Sequence, residues 1–310
     1  MPSVLVAPTG ARPGPATTDP LPQRRFGKTE RQVPVLGLGT GPGGLGLPDA
    51  EAIPVYEAAI SHGITYLDTA PGYGRAHVQL GEILPGYRRE DLFIATKCYA
   101  ATAEEALTIH EQSLKDLKVD YVDLLYAHCV GSFEPDQLLA SDGVFAGLRE
   151  ARRRGWTRSL GFTAHHQPGR PARLLQEALS GNLELDAVML AMNYADRHTY
   201  GFEEHILPLA SRLDLGVAVM KVFGGARDMN YEKNRVSQLG ARNHSLAFRY
   251  ALGLQAAAVA VVGMFTVAEV EKNAMWARNW TPLTGEEYER LEVEGREIAG
   301  EWGAHFGALE

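Results

Sequence analysis

A carboxylate and a phenol stand five positions apart in the segment YLDTAPGYG, residues 66–74, as Asp68 and Tyr73. The next two apolar segments of the chain end in Lys97 and His128. A free phenol titrates at about pH 10, and a nearby ammonium, itself held by a carboxylate, would lower that pKa. Tyr73 could then protonate an alkoxide as it forms, while a neutral His128 orients a carbonyl oxygen by a hydrogen bond.

This set of side chains fits hydride addition to a carbonyl group. It contains no activated Ser or Cys nucleophile and no electrophile, so the hydride must come from a cofactor. Each residue alone has an ordinary explanation: Asp68 could cap a turn, Tyr73 could be a rim aromatic, Lys97 could point to water, and His128 could be a core histidine. Their convergence weakens these explanations, because an unpaired buried Lys or Asp costs several kcal/mol and pairing Asp68 with Lys97 removes most of that cost.

The elements that must position these residues alternate regularly from residue 24 onward. Apolar runs typical of strands covered on both faces alternate with segments of helical periodicity. The predicted strands are 34–40, 64–69, 92–97, 121–128, 157–163, 187–193, 216–222 and 258–264. The predicted helices are 50–62, 76–86, 103–117, 134–155, 169–181, 203–213, 243–254 and 266–278, with a last helix from Pro282 to about residue 300.

Eight strand–helix units in strict alternation predict an α/β fold, a single (β/α)8 TIM barrel over residues 24–310 that includes a C-terminal helix. RRFGKTERQVPV adds a small N-terminal hairpin. Active sites of such barrels lie at the carboxyl ends of the strands, where Asp68, Lys97 and His128 are predicted. The alternative is an open doubly wound sheet with a glycine-rich turn. GLGTGPGGLG, residues 37–46, resembles that turn only superficially, since we expect no helix to start directly at these glycines.

Composition and charge exclude several classes of partner. The net charge is −8 and the sequence pI is about 5.7, which argues against a nucleic-acid partner. No apolar run approaches the length of a membrane span. The only two cysteines, Cys98 and Cys129, lie in or beside apolar runs, which indicates a reducing and therefore cytoplasmic location. Residues 1–23, rich in Pro, Ala, Thr and Gly, are predicted to be a flexible tail.

Histidines and cysteines near the predicted strand ends raise the question of a metal site. His128, Cys129, Cys98, His165 and His166 could converge there. Their spacing matches no standard zinc pattern, so we predict no metal site.

The motifs together resemble the aldo-keto reductase family, in a divergent branch with GxTGH-like and MKPLGGG-like stretches. The resemblance runs from about residue 24 to 280 through FGKTERQVPVLGLGTG, GITYLDTAPGYG, LFIATK, LKVDYVDLLYAH, GFTAH and GVAVMKVFGG. It implies a barrel whose N-terminal hairpin closes the bottom, and a catalytic tetrad of Asp68, Tyr73, Lys97 and His128 with Tyr73 as proton donor. It further implies NADP(H), a small-molecule carbonyl or alcohol substrate and no membrane partner, and it leaves a homo-oligomer open.

The cofactor contacts implied by this resemblance depart from the family pattern. After strand five, Thr163 can replace the usual Ser, but Ala164 stands in place of the Asn, so His165 is expected to help. Asn193 is the nearest amide after strand six, and Lys221 follows strand seven. The implied cofactor-binding residues are Thr40, Gly41, Asp68, Thr163, His165, Asn193, Lys221, Gly224, Gly225, Arg227, Gly263, Met264, Thr266 and Asn273.

The choice of nucleotide depends on the segment VGMFTVAEVEKN, residues 262–273. The family's Lys and Arg that hold the 2′-phosphate of NADP are replaced here by Gly263 and Glu269. A carboxylate repels a phosphate, so NAD(H) becomes an alternative to NADP(H). Arg227 could restore phosphate binding. The neighbouring glycines of the loop after strand seven could approach a pyrophosphate or simply turn the chain, and residues 227–243 could form a lid or a solvated insertion.

The sequence therefore predicts an NAD(P)(H)-dependent oxidoreductase that interconverts an aldehyde, ketone or sugar carbonyl and an alcohol, with Tyr73 as general acid and base. Two alternatives stay open: a redox-silent or cofactor-sensing scaffold subunit, and a sugar-modifying enzyme that recycles tightly bound NAD. The expected substrate pocket consists of Tyr73, Tyr99, His128 and Tyr194. Substrate identity depends on the loops after strands one, three and four and on the C-terminal tail.

Overall fold

Eight parallel strands close into a barrel in the computed structural model, which describes residues 20–226, 230–231 and 235–310. Neighbours in the barrel follow the order of the chain, and the last strand pairs with the first. The barrel strands are β3 Leu36–Gly39, β4 Tyr66–Asp68, β5 Phe93–Cys98, β6 Val122–Ala127, β7 Thr157–Ala164, β8 Ala187–Ala191, β9 Gly216–Met220 and β10 Ala257–Gly263. The predicted (β/α)8 TIM barrel is therefore confirmed. The predicted tail, residues 1–23, lies outside the described residues except for 20–23.

Helices surround this barrel and cover the outer face of its strands with a continuous apolar layer. The helices are α1 Gly41–Gly46, α2 Asp49–Ser61, α3 Ala76–Ile83, α4 Ala103–Leu117, α5 Pro135–Leu139, α6 Val144–Arg153, α7 Gly169–Leu179, α8 Arg197–Tyr200, α9 Phe202–His205, α10 Leu207–Arg212, α11 His244–Gly253, α12 Val267–Arg278 and α13 Gly285–Trp302. Threonine side chains cap two of these helices: Thr102 forms a full capping box with Glu105, and the Thr266 side chain accepts a hydrogen bond from the Glu269 amide.

A two-stranded antiparallel hairpin closes the amino-terminal end of the barrel. Its strands are β1 Gln23–Arg25 and β2 Gln32–Pro34. Phe26, between them, is fully buried and packs against Tyr66 and Phe93, the first residues of β4 and β5, with ring centroids 5.8 and 5.4 Å away. A Cβ on Gly216, the first residue of β9, would clash with the same ring. The hairpin thus plugs one end of the barrel, and ligands have access from the other end.

Two segments that were each predicted to form one continuous helix are interrupted in the structure, so these two predictions are wrong. Residues 134–155 form two helices because the segment 141–143 turns the chain, and the Asp142 carbonyl accepts a hydrogen bond from the Ala103 amide. Residues 203–213 belong to a series of short helices that begins at Arg197, since Gly201 adopts a left-handed conformation with φ of 61° and ends the first of them. Local turn chemistry overrides the apolar periodicity in both cases.

The expectation that no helix starts at the glycines after the first barrel strand is also wrong, because α1 begins at Gly41. Close packing explains this glycine-rich helix better than helical propensity does. A Cβ on Gly44 would clash with the Tyr73 carbonyl oxygen, and one on Gly43 would clash with the Tyr56 hydroxyl. The Gly44 carbonyl in turn accepts a hydrogen bond of 3.1 Å from the Arg75 amide. The helix therefore holds the loop that carries Tyr73.

None of the helices in the described ranges combines the length and the hydrophobicity that crossing a bilayer requires.

Candidate active site

A buried ion pair links two neighbouring strands at the carboxyl end of the barrel. Asp68 is the last residue of β4, and Lys97 is the next-to-last residue of β5. The Lys97 ammonium donates to both carboxylate oxygens of Asp68, at 2.7 and 2.6 Å, and to the Thr69 carbonyl oxygen at 2.9 Å. An ammonium has three N–H donors, so these acceptors occupy all of them. Since Lys97 is 0% and Asp68 3% exposed, water does not screen the pair.

Tyr73 and His128 lie directly beside this pair. The Tyr73 ring is partly exposed, and its centroid lies 4.9 Å from Lys97 Nζ. The His128 ring, which follows β6, meets the Tyr73 ring edge-on at a centroid distance of 6.2 Å. The structure thus brings the four residues predicted as a tetrad to one place, at the end of the barrel opposite the hairpin.

The acidity of Tyr73 differs from the expectation of a lowered pKa. Burial raises the pKa of Tyr73, the Asp68 carboxylate raises it further, and the ammonium of Lys221 opposes this rise. Lys97 offers the phenol no hydrogen bond, because Asp68 and the Thr69 carbonyl accept all of its N–H groups. Tyr73 therefore keeps its proton at neutral pH, which suits a group that donates a proton.

The histidines at this end of the barrel are neutral. Burial lowers the pKa of His128 to about 3, and the positive charges of Lys97 and Lys221 contribute. Burial also places the pKa of His165 well below its ordinary range, again with help from Lys221. The rings of His128 and His165 lie 6.4 Å apart. A neutral imidazole carries one N–H donor and one acceptor, so His128 can donate a hydrogen bond to a substrate oxygen without carrying charge.

A cleft of about 140 Å³ opens beside the tetrad. Asp68 and Tyr73 line its inner end, and the ends of β3, β9 and β10 form its walls. The lining residues are Gly39, Gly41, Pro42, Asp68, Tyr73, Met220, Lys221, Val222, Phe223, Gly225, Ala226, Tyr231, Val236, Ser237, Val261, Val262, Gly263 and Phe265.

Part of the predicted cofactor set lines this cleft. Gly41, Lys221, Gly225 and Gly263 do so together with Asp68. Gly224 has a left-handed φ of 76°, and a Cβ there would lie 2.6 Å from the Trp302 ring. This glycine therefore turns the chain against α13. Arg227 lies outside the described residues.

Other members of the predicted cofactor-binding set lie nearby, but their polar atoms form hydrogen bonds within the protein. The Thr40 hydroxyl donates to the Asp68 carbonyl at 3.0 Å, and the Thr163 hydroxyl accepts from the Cys129 amide at 2.8 Å. The Asn193 side chain bonds to Asp196, to the Lys221 carbonyl and to the amides of the turn after β8. These three side chains are fully buried and do not line the cleft.

The start of α12 carries the residues expected to meet the adenosine end of a nucleotide. Thr266 caps the helix, and the Glu269 carboxylate accepts a hydrogen bond of 2.6 Å from the Phe265 amide. The Met264 side chain is wholly buried in the apolar layer, and Asn273 is 5% exposed. The negatively charged Glu269 side chain thus accepts the hydrogen bond of a backbone amide at the start of α12.

The structure brings only some of the residues predicted for the substrate pocket to the tetrad. Tyr99 is 57% exposed, and its ring meets the His128 ring edge-on at 6.2 Å. Tyr194 lies elsewhere, fully buried under α13, where its hydroxyl accepts a hydrogen bond of 3.1 Å from Asn243 and its ring packs on Tyr250. The structure therefore does not bring Tyr194 to the cleft.

The C-terminal tail covers another side of the mouth. The Phe306 ring stacks on Tyr200 at 5.8 Å and lies 6.1 Å from the His165 ring. The Tyr200 hydroxyl accepts from the Phe306 amide at 2.8 Å, and the Gln167 amide donates to the Ala308 carbonyl at 3.0 Å. The tail is thus hydrogen-bonded to the loop that follows β7 and to α8.

Several lining residues were missed by the sequence reasoning. Tyr231 and Ser237 belong to the polar segment after β9, and Phe265 follows β10. Tyr231 is an aromatic residue in an otherwise polar loop, and this feature of the sequence could have indicated that it lines the cleft. Within the cysteine–histidine group, Cys129 Sγ lies 3.8 Å from His166 Nε2. Within the described part of the chain, no three His, Cys, Asp or Glu side chains are grouped so that they could hold a metal ion.

Comparison with known proteins agrees with the class of barrel that this geometry defines. The model of the aldo/keto reductase family matches residues 35–244. An aldo-keto reductase of Mycobacterium ulcerans is 33% identical over 54% of this chain and 55% of its own length. Pyridoxal 4-dehydrogenase of Microbacterium luteolum is 25% identical over 85% of this chain and 97% of its own length. The chain spans about half the length of the first curated relatives that it matches.

A solved structure extends the comparison to the fold. The aldo-keto reductase AKR11C1 from Bacillus halodurans superposes with a TM-score of 0.69 and 21% identity, over 88% of this chain and 96% of that one. At this identity the likeness shows the barrel alone. Since the family model matches more than half of the chain, the chain belongs to the aldo/keto reductase family.

Proposed function

We propose that this chain is an NAD(P)(H)-dependent oxidoreductase that interconverts a carbonyl compound and an alcohol. The observation that carries the proposal is the position of the Tyr73 phenol, between His128 and the buried pair of Lys97 and Asp68. Membership of the family and the dehydrogenase among the relatives support it. A small carbonyl or alcohol is the partner that this site would accept.

The residues around the cleft fit a nicotinamide dinucleotide. A Cβ on Gly263 would clash with Pro42, and one on Gly41 would lie 3.9 Å from the Tyr73 ring, so bare backbone lines the wall next to the tetrad. The backbone at Gly39, Gly41, Gly225 and Gly263 would hold the nucleotide. When bound, such a nucleotide supplies or accepts the hydride.

The protein's own part in the reaction is the movement of one proton. During reduction, the Tyr73 O–H bond breaks and its proton passes to the substrate oxygen, which has gained the electron pair of the C=O bond. During oxidation, the same proton moves from the alcohol to the phenolate. The neutral His128 donates an N–H group to the substrate oxygen and orients it. The rigid pair of Lys97 and Asp68 fixes the floor against which Tyr73 packs.

Replacement of Tyr73 by Phe tests this function. General acid catalysis contributes about 10²–10⁴-fold, so Tyr73→Phe should lose turnover of an activated aldehyde with NADH or NADPH by that factor while still binding the nucleotide. Tyr121→Phe is the matched control, because that ring lies beside Arg89 and Arg158 and away from the cleft. Full activity in Tyr73→Phe refutes the proposal. Nucleotide binding without any turnover in the wild type favours the scaffold alternative instead.

We further propose that the nucleotide is NAD(H). The Glu269 carboxylate already occupies the Phe265 amide and places negative charge where a 2′-phosphate would approach. The Kd for NADH and NADPH, measured by fluorescence, should favour NADH in the wild type. Glu269→Arg should move the ratio toward NADPH by about tenfold or more, which corresponds to about 1.4 kcal/mol. Glu271→Arg makes the same charge change on an exposed position of α12 and should leave the ratio unchanged. Tighter NADPH binding by the wild type contradicts the proposal.

A further inference from the structure

The imidazole of His165 makes no hydrogen bond with the part of the protein that the structure describes. Its Nδ1 is shielded from solvent and has no partner, which leaves Nε2 of this half-buried side chain to meet a ligand. Buried histidines elsewhere do find partners, since His77 bonds to the Thr96 hydroxyl at 3.0 Å and His110 to the Trp156 carbonyl at 3.1 Å. A buried polar group without a partner costs free energy, which a hydrogen bond to a ligand recovers.

The ring of His165 lies beside that of His128, the histidine of the tetrad. The two ring centroids are 6.4 Å apart, and the two residues follow β6 and β7, which are hydrogen-bonded neighbours in the barrel. The Phe306 ring lies 6.1 Å from His165 and bounds the pair on the side of the C-terminal tail. Both imidazoles are neutral, and among the described residues neither ring has a hydrogen-bond partner. His165 thus repeats, one strand further on, the arrangement of His128.

The two histidines lie on the side of Tyr73 that faces away from the proposed nucleotide cleft. The ends of β3, β9 and β10 form the walls of that cleft, whereas β6 and β7 lie across the closed barrel from β10 and β3. Tyr73 lines the cleft, but neither His128 nor His165 does. A substrate that meets Tyr73 from the side of His128 therefore lies next to His165. This position suits contact with the substrate better than contact with the nucleotide.

The reacting carbonyl oxygen has no place for a third hydrogen-bond donor. It carries two lone pairs, and in the proposed reaction the Tyr73 hydroxyl and the His128 N–H group occupy both. His165 therefore meets a different atom of the substrate. A hydrogen bond spans about 2.7–3.2 Å, so two rings whose centroids are 6.4 Å apart can hold two oxygens on adjacent carbons of one molecule. A hydroxyl group fits His165 in either neutral tautomer, because it can donate to the ring lone pair or accept from the ring N–H group.

We propose that His165 binds a hydroxyl group on the carbon next to the substrate carbonyl, so that the site selects 2-hydroxy aldehydes or ketones and, in the reverse direction, vicinal diols. The proposal rests on the proposed function and names its substrate class. In reduction, the carbonyl carbon gains the hydride of the nucleotide and the carbonyl oxygen gains the Tyr73 proton, while the second hydroxyl keeps all of its bonds. His165 thus contacts the substrate and determines specificity, but it transfers no proton.

Two aldehydes that differ by a single hydroxyl group test this assignment. The kcat/KM for 2-hydroxypropanal relative to that for propanal should fall by about tenfold from the wild type to His165→Phe, the factor that one hydrogen bond is worth. Comparing the two ratios cancels the different reactivities of the aldehydes. His165→Gln keeps a side-chain N–H group and should retain part of the preference. His166→Phe is the matched control and should leave the ratio unchanged, because that ring meets Cys129 and Ser132 instead.

An equal loss with both aldehydes in His165→Phe overturns the proposal, because the ring would then act on the reacting oxygen or on the nucleotide. An unchanged ratio in that variant, or the same fall in His166→Phe, overturns it as well. His165→Leu also lacks ring nitrogens and should show the same fall in the ratio if the phenylalanine variant folds poorly.

A binding measurement without turnover separates this proposal from the proposed function. The ring nitrogens of ¹⁵N-labelled histidines are observed in the full chain with NADH, and the resonance that is missing from His165→Phe identifies His165. 1,2-Propanediol, which NADH cannot oxidise, should shift this resonance, whereas 1-propanol should not. Equal shifts with both alcohols, or none with the diol, overturn the proposal. A wild type that reduces neither aldehyde refutes the proposed function instead, while the nitrogen shift still reports whether His165 binds the second hydroxyl.

Discussion

Removal of one member of the buried ion pair should cost more stability than removal of both. Asp68→Asn leaves the Lys97 ammonium buried without its counter-charge, and Lys97→Met leaves the carboxylate in the same position. Burial raises the pKa of Asp68 and lowers that of Lys97, so each charge depends on the other. Breaking such a pair costs about 3–5 kcal/mol, whereas a neutral replacement of both partners is often close to neutral. The double variant should therefore lie within about 2 kcal/mol of the wild type.

Urea unfolding of the four proteins measures this difference. With an m-value of about 3 kcal/mol per molar, each single variant should unfold at a concentration about 1–1.7 M lower than the wild type. The two single losses sum to about 6–10 kcal/mol, so the coupling free energy should be at least about 4 kcal/mol.

An exposed pair of similar geometry provides the control. Arg75 and Asp49 also meet at 2.6 Å, but their side chains are 58% and 40% exposed. Asp49→Asn should move the midpoint far less, because water screens that pair. A double variant as unstable as either single variant, or single variants that unfold with the wild type, refutes the reasoning about burial.

Two further predictions concern stability. Burial lowers the pKa of His110 to about 4, so between pH 6.5 and about 4 the unfolded chain binds one proton more than the folded chain. This histidine therefore makes the free energy of unfolding fall as the pH falls through that window. His110→Asn should reduce the slope of unfolding free energy against pH by about 1.4 kcal/mol per unit in urea titrations, and an unchanged slope contradicts this account. Gly295→Ala should destabilise by about 1–3 kcal/mol in thermal or urea unfolding, because its Cβ would clash with the Tyr194 carbonyl. Gly300→Ala, on the same helix with open space around it, should instead stabilise slightly, and equal effects would exclude packing as the cause.

The barrel could be predicted because its strands are short apolar runs and its helices carry ordinary periodicity. Asp68, Lys97 and His128 each end, or lie beside the end of, a predicted strand, and parallel strands bring such ends together. Their meeting point thus followed from the sequence. These features depend on local pattern and on the direction of the strands alone.

What escaped prediction depends on side-chain pairing across the fold. The helix at Gly41 exists because neighbouring loops approach its backbone closely, which no periodicity records. Thr163 and Asn193 are the last residues of two predicted strands, yet their side chains form hydrogen bonds within the protein. Burial and the neighbouring Asp68 carboxylate raise the pKa of Tyr73, and both depend on the folded packing. The sequence shows only that the two residue types are present.

The position of the C-terminal tail around Phe306 has a practical consequence for anyone who produces this protein. Its carbonyl groups at Ala308 and Glu310 are bonded to Gln167, next to the loop that bears His165. An affinity tag or fusion partner attached there would hang over the opening through which small molecules must pass. Attachment on the side of the barrel that the hairpin closes leaves that opening free and is the better choice for every assay described above.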